Sequence, residues 1–234
     1  MTLVNPDNYD SLHSEKKAFL RWPADWVLRF HNMYLRDKLA SDARVLNFGC
    51  GSGNNSLPFL KSGLEVYGVE VAEHSRGLIE ENLEFYGLPS DFLNRVSFQD
   101  PPLTKLPFDD NFCDLIISNQ VHHYSVSEDE LHEVNQELDR ILKPGGTIFV
   151  TMMGPSNYYI TDWTAQVSGE GIHQVRIDDP NHRLNGVSEN VLLVRDEAHL
   201  LQLFQEFQPI TTGHFDQAMF DMKSNFHFIF AGTK

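Results

Sequence analysis

The sequence predicts a single α/β domain, a mostly parallel sheet covered by helices, and three observations lead there. From Arg44 onward, short apolar runs alternate with segments of helical period. Glycines crowd the end of the first apolar run, at Gly49, Gly51 and Gly53. The chain has 234 residues, which suits one α/β domain with appendages better than two full domains.

The first strand is read in RVLNFG, from Arg44, and a short helix over residues 55–61 follows it, ended by Ser62-Gly63. EVYGVEVA supplies the second strand, which completes one strand–helix–strand unit. A helix over 74–86 stops at Gly87 and Pro89; the third strand, RVSFQD, closes at Pro101-Pro102. FCDLIISN is the fourth strand. Ser127 then caps a helix whose apolar residues Leu131, Val134, Leu138, Ile141 and Leu142 recur at helical spacing. Lys143-Pro144-Gly145-Gly146 stops that helix before the strand TIFVTMM.

Residues 152–190 break the rhythm with Gly, Pro, Asn, Tyr and Trp, the composition of a long irregular insertion, and are read as part of a substrate lid. Beyond them, 196–207 is an amphipathic helix, and 210–222 and 225–232 are strands joined by a tight turn at Lys223-Ser224. Residues 9–39 are rich in helix formers and aromatics and are divided by Pro23. The organisation is thus an N-terminal helical cap over 1–43 and an α/β domain over 44–234.

Composition excludes several classes. With 18 Lys and Arg against 33 Asp and Glu, the formal charge is −15, a field that repels a phosphate backbone, so no nucleic-acid partner is expected. Cys50 and Cys113 sit in apolar runs without CxxC spacing, which argues against a disulfide framework or zinc site. The eleven histidines show no HxxxH or HxH spacing with a nearby carboxylate on a helix, so no metal is expected. The N-terminal residues lack a basic and apolar leader, and no run approaches ~18 apolar residues; a cytoplasmic protein without a membrane partner is expected.

The chemistry concentrates in VLNFGCGSG. Glycines at the carboxyl end of a first strand let backbone approach a ligand where side chains would block it. The spacing is G-x-G-x-G with Asn54 in the sixth position, so the dinucleotide pattern G-x-G-x-x-G/A fails where it would serve a pyrophosphate. That favours a ligand without phosphates and disfavours an NAD(P)-dependent oxidoreductase, which would also need a Tyr-x-x-x-Lys or similar hydride-site pair. Glu70 ends the second strand, where a carboxylate can accept both ribose hydroxyls of a nucleoside; the alternative is a strand-end surface carboxylate. Asp100 ends the third strand, placed either to accept from an adenine amino group or to form the turn before Pro101.

VLNFGCGSGNN, Glu70, FQDPPLTKLPFDDNFCDLIISNQVHHY and RILKPGGTIFV, in this order and at these separations, resemble the successive motifs of class I S-adenosylmethionine-dependent methyltransferases of the small-molecule type. The resemblance covers about residues 44–152. It implies a Rossmann-like, doubly wound seven-stranded sheet in the order 3-2-1-4-5-7-6 with the seventh strand antiparallel. Gly49, Cys50 and Gly51 would line the methionine part of S-adenosyl-L-methionine, Glu70 and Val71 the ribose and adenine, and Asp100 and Pro101 the rest of the adenine site. Asn119 would face the cofactor's amino group, and Trp22, in an Arg-Trp-Pro element, would close over the cofactor or serve as an ordinary core aromatic. His123, and less so His122, would face the acceptor as a base, the alternative being loop packing. The implied reaction is transfer of a methyl group to an oxygen or nitrogen of a small molecule by in-line displacement; a non-catalytic member of the fold is the alternative.

Overall fold

The computed structural model describes residues 6–17, 19–125, 127–168, 171–182, 184–218 and 223–234. At its centre β1 (Arg44–Phe48) runs parallel to β2 (Glu65–Glu70) and β4 (Cys113–Asn119). β3 (Val96–Phe98) flanks β2, and β5 (Leu142–Met153) flanks β4. β9 (Gln208–Phe215) and β10 (His227–Thr233) complete the sheet in the order β3-β2-β1-β4-β5-β10-β9, with β10 antiparallel to both neighbours. This is the expected order, the lid strands being numbered separately.

The central strands read as unbroken apolar runs because both sheet faces are covered. Along them the side chains alternate. Leu46, Phe48, Ile116, Ile148 and Val150 pack with residues of α5 (Glu128–Ile141) and α7 (Glu197–Leu203). Val45, Leu115, Ile117 and Phe149 point the other way, to α2 (Asp25–Phe30), α3 (Leu57–Lys61) and α4 (Ser75–Tyr86). In α5, the Ser127 hydroxyl accepts the Glu130 N–H at 3.1 Å, a cap contributing ~1 kcal/mol. Leu131, Leu138 and Ile141 are fully buried, and each contributes ~1.5–3 kcal/mol, so packing outweighs the cap in holding the helix.

Three stretches differ from expectation. The third strand ends at Phe98, so Asp100 stands beyond it, exposed. Lys143-Pro144-Gly145-Gly146 lies inside β5 as a bulge: Cys113 pairs with Leu142, but Leu115 pairs with Thr147. The insertion is ordered as α6 (Tyr158–Trp163) and an antiparallel sheet of β6 (Thr164–Ser168), β7 (Ile172–Arg176) and β8 (Ser188–Leu192). Its core joins Val175, Ile177, Val191 and Leu193 to Met153 of β5.

Among the described residues, Lys223-Ser224 does not form the expected tight turn: β9 ends at Phe215 and β10 begins at His227. Asp216 accepts from the Ser224 hydroxyl (2.8 Å) and the Asn225 N–H (2.9 Å), while the Ser224 carbonyl accepts the Tyr158 N–H (2.7 Å), so these residues leave the ladder to hold the lid helix. Residues 219–222 of the expected strand lie outside the described residues. At the other end of the chain, α1 (Pro6–Ser14) is pinned to α4 through Asp10 on His74. Lys16 and Arg21 both reach Glu81, at 2.5 and 2.7 Å. Among the described residues no helix is long and apolar enough to cross a membrane.

Candidate functional site

The order β3-β2-β1 then β4-β5 reverses direction between β1 and β4, and the strands' carboxyl ends open a crevice there. The β1 chain turns at Gly49, whose N–H and that of Cys50 both donate to the Val69 carbonyl, at 2.9 and 3.0 Å. Gly49 has φ +69°, and a Cβ there would stand 2.3 Å from a Val121 methyl. Gly51 also has positive φ, +51°, but a Cβ there would meet no protein atom within 4 Å, because Gly51 lines a cavity.

Glu70 organises this loop. Its carboxylate accepts the Gly51 N–H at 2.6 Å, the Val71 N–H at 2.8 Å and the Ala72 N–H at 3.1 Å, and it is buried. The glycine loop in turn ties down the N-terminal segment. Ser52 exchanges hydrogen bonds with the Leu20 backbone, Asn54 donates to the Trp22 carbonyl at 2.9 Å, and Asn55 accepts the Ala24 N–H at 2.9 Å. Asn54, which broke the dinucleotide pattern, is thus used to seat the cap.

A cavity of about 210 Å³ lies over this loop. Gly49, Cys50, Gly51, Glu70, Val71 and Asn119 line it; Gln120, Val121, Leu103 and Tyr124 line it too, with Leu20 and His13 from the N-terminal segment. Among the described residues no Lys or Arg lines it, so none of them offers a phosphate a counter-charge there. His13 is buried with no hydrogen-bond partner for Nδ1, and burial lowers its pKa against the pull of Glu70 and Asp10. Burial raises the Cys50 thiol well above its ordinary value, with Glu70 adding to it, which disfavours the thiolate. Trp22, Asp100 and Pro101 are not among the lining residues; the Trp22 ring is 67% exposed, edge-on to Phe85 and Tyr86.

A second cavity, about 560 Å³, opens against the insertion. Its aliphatic wall is Met153, Val175, Ile177, Leu184, Val187 and Val191, joined by Tyr158 and Tyr159. Gln120, His123, Glu189, Gln217, Asn225 and His227 supply polar groups. Leu20, Gln120 and Tyr124 line both cavities and form a shared wall. At that wall Gln120 holds φ +61°, uncommon for a residue with a side chain, fixed by its N–H donating to the Thr151 hydroxyl at 2.8 Å.

The two neighbouring histidines part company. His123 lines the larger cavity, whereas His122 points into the core between Phe48 and Phe204, bonded to the Ser118 hydroxyl at 2.6 Å. Burial pushes the His122 pKa down to about 3. The unfolded chain therefore binds the proton first, and stability falls as pH drops below about 6.5 toward 3; at pH 5 this residue alone removes ~2 kcal/mol. Denaturant unfolding at pH 7 and pH 5 is expected to show that loss, reduced in His122→Asn. Equal stability at both pH values would contradict the buried placement.

Sequence reasoning missed His227. Because β10 runs antiparallel to β5, the first residue of β10 arrives at the carboxyl edge, paired with Met153 and 6.0 Å from the His123 ring, centre to centre. No local motif marks it; only the strand's direction could have. Of the insertion's aromatic and basic residues, Tyr158 and Tyr159 line the cavity, Trp163 and His173 do not, and Arg183 lies outside the described residues. The His182 ring meets the Tyr158 hydroxyl at 3.3 Å. Among the described residues no cluster of three or more His, Cys, Asp or Glu is arranged to hold a metal ion.

A doubly wound, mostly parallel sheet with a carboxylate-anchored crevice at its switch point is the architecture of an α/β ligand-binding protein. Residues 46–150 match the family described as a methyltransferase domain. An uncharacterized methyltransferase of Bacillus cereus is 32% identical over 143 residues, 59% of this chain and 60% of that protein. The chain thus spans about 60% of the length of that curated relative. A Mycobacterium ulcerans protein named phthiotriol/phenolphthiotriol dimycocerosates methyltransferase 1 is 27% identical over 76% of this chain and 69% of its own. The crystal structure of an S-adenosylmethionine-dependent methyltransferase from Methanosarcina mazei superposes with a TM-score of 0.65 at 21% identity, covering 86% of this chain and 97% of that one. Over residues 46–150 the chain is therefore similar to methyltransferase domains, and its fold is that of the solved methyltransferase.

Proposed function

We propose that this protein moves a methyl group from S-adenosyl-L-methionine to an oxygen or nitrogen atom of a small molecule. The observation that carries the reading is the shared wall of Leu20, Gln120 and Tyr124 between two cavities of different chemistry. One is glycine-rich and anchored by a carboxylate; the other is walled by lid and sheet side chains.

The smaller cavity fits the cofactor. It offers the Glu70 carboxylate for ribose hydroxyls, backbone exposed at Gly49 and Gly51, an unpartnered imidazole nitrogen at His13, and no cation to oppose a sulfonium. When bound, S-adenosyl-L-methionine supplies a methyl group on a sulfonium sulfur, already electrophilic. What remains for the protein is to hold the acceptor close, aligned and dry, which can contribute ~7–11 kcal/mol. The lid sheet and the cap segment around Leu20 exclude water, and Gln120, held by Thr151, orients groups at the junction. The acidic chain and the cavity's size favour a small-molecule acceptor over nucleic acid.

Thermal unfolding with S-adenosylhomocysteine or NAD is the test. At ~100 times the dissociation constant a bound ligand stabilises by about 2.7 kcal/mol, which is ~5–10 °C for a domain of this size. S-adenosylhomocysteine is expected to give that shift and NAD none; labelled methyl from S-adenosylmethionine is then expected in a small-molecule extract. No shift with S-adenosylhomocysteine would overturn the reading, and a shift without methyl transfer would leave a non-catalytic binder.

A further inference from the structure

We propose that the methyl acceptor is a hydroxyl group on a largely apolar molecule, and that Nε2 of His227 takes its proton. The proposal rests on the methyltransferase reading above and deepens it.

The body of the acceptor follows from the walls. Aliphatic side chains of the insertion, with Tyr158 and Tyr159, line the larger cavity, a surface that rewards apolar area. Of its two charged lining residues, Lys223 is exposed at the rim and paired with Asp162. Glu189 is buried and already has a partner within the protein, which an ammonium substrate would have to displace.

The reacting end follows from His227. Its Nδ1 donates to the Asn225 carbonyl at 3.0 Å, which puts the proton on that nitrogen and leaves the Nε2 lone pair free to accept. That lone pair is aimed at the shared wall, where its partner is the Gln120 amide at 3.4 Å, a long bond that an incoming hydroxyl can replace. The ring plane is fixed by a stack: His227 lies on Phe215 (5.0 Å, 8°), and Phe215 on Trp26 (3.6 Å, 10°). The Trp26 indole N–H donates to the Asn119 side chain at 2.6 Å, tying the stack to the tip of β4. His123 faces the same cavity, yet its Nδ1 has no partner, so no hydrogen bond there sets its tautomer. A base oriented by a further group is the arrangement proton abstraction requires, and His227 has it.

The proton leaves the acceptor oxygen for Nε2. The O–H electron pair stays on oxygen in place of the lone pair that makes the new O–methyl bond; the methyl–sulfur bond would break with its pair passing to sulfur, so that neutral S-adenosylhomocysteine is the leaving group, and the imidazolium gives its proton to solvent after product leaves. A neutral ring buried in an apolar cavity suits a neutral hydroxyl.

The test uses 2-naphthol and 2-naphthylamine, one apolar skeleton with two acceptor atoms, added to the full chain with S-adenosylhomocysteine. Naphthol emission reports whether a base touches its hydroxyl, since the naphtholate band appears only when the proton can leave. 2-Naphthol is expected to bind ~10-fold or more tightly than the amine and to emit from the naphtholate band. His227→Phe and His227→Asn are expected to reduce that band ~10-fold while holding S-adenosylhomocysteine within ~2-fold of wild type; His123→Phe is expected to keep it. Should neither His227 variant fold, histidine ¹⁵N spectra of the wild type decide: naphthol is expected to move the Nε2 signal of the histidine protonated on Nδ1. Tighter binding of the amine, no naphthol binding, a naphtholate band surviving loss of His227 or lost with His123, or an unmoved Nε2 signal would each overturn the proposal. Failure of the wild type to bind S-adenosylhomocysteine would instead sink the methyltransferase reading beneath it.

Discussion

Glu70→Ala is expected to weaken S-adenosylhomocysteine binding ~100-fold, equivalent to about 2.8 kcal/mol. The carboxylate does two things at once. It accepts three backbone N–H groups, from Gly51, Val71 and Ala72, and so holds the glycine loop against the end of β2. With the proposed cofactor in the crevice it also accepts from the ribose. Hydrogen bonds to a charged group contribute ~1.5–3 kcal/mol each, and truncation removes all of them together. Glu70→Gln keeps one acceptor oxygen but turns an NH₂ toward a backbone donor, so an intermediate loss is expected. Calorimetric titration of folded protein checks both; a dissociation constant for Glu70→Ala within ~3-fold of wild type would exclude Glu70 as the ribose acceptor.

Gly49→Ala is expected to cost ~2–5 kcal/mol of stability and to lower the unfolding midpoint by ~5–15 °C. Two penalties combine. The residue holds φ +69°, strained for any side chain, and the new Cβ would lie 2.3 and 2.8 Å from the two Val121 methyl carbons. Val121 also lines the smaller cavity, so its displacement reaches the proposed cofactor site. The double variant Gly49→Ala/Val121→Ala is expected to recover the steric share and not the backbone share. Gly51→Ala, with open space around its Cβ, is expected to harm ligand binding more than stability. Denaturant unfolding of the four proteins tests this; a Gly49→Ala protein as stable as wild type would contradict the close approach to Val121.

Parts of the molecule governed by local chemistry were legible in the sequence. The central strands announce themselves because burial on both faces demands unbroken apolar runs, and α5 because Ser127 caps a helical apolar stripe. Gly49, Gly51 and Glu70 were legible because a strand end, a tight turn and a carboxylate follow one another within a single strand–helix–strand unit. The lid sheet was not. Its strands carry polar residues such as His173, Gln174 and Asn190 and bury one face on Met153, a partner distant in sequence. His227 and His13 escaped for the same reason: an antiparallel strand and a cap helix bring them to the site, and neither placement leaves a local signature. Trp22 and Trp26 show the limit of reading a residue type: the backbone of Trp22 is held by Asn54 while its ring faces out, and Trp26 reaches the β4 tip instead.

The most direct measurement is a crystal structure of the protein grown with S-adenosylhomocysteine. The adenosine is expected over the glycine loop, with its ribose hydroxyls on Glu70 and its sulfur at the wall formed by Leu20, Gln120 and Tyr124, facing the lid cavity. A ligand bound in the lid cavity instead, or density for none at saturating concentration, would contradict the assignment of the two cavities.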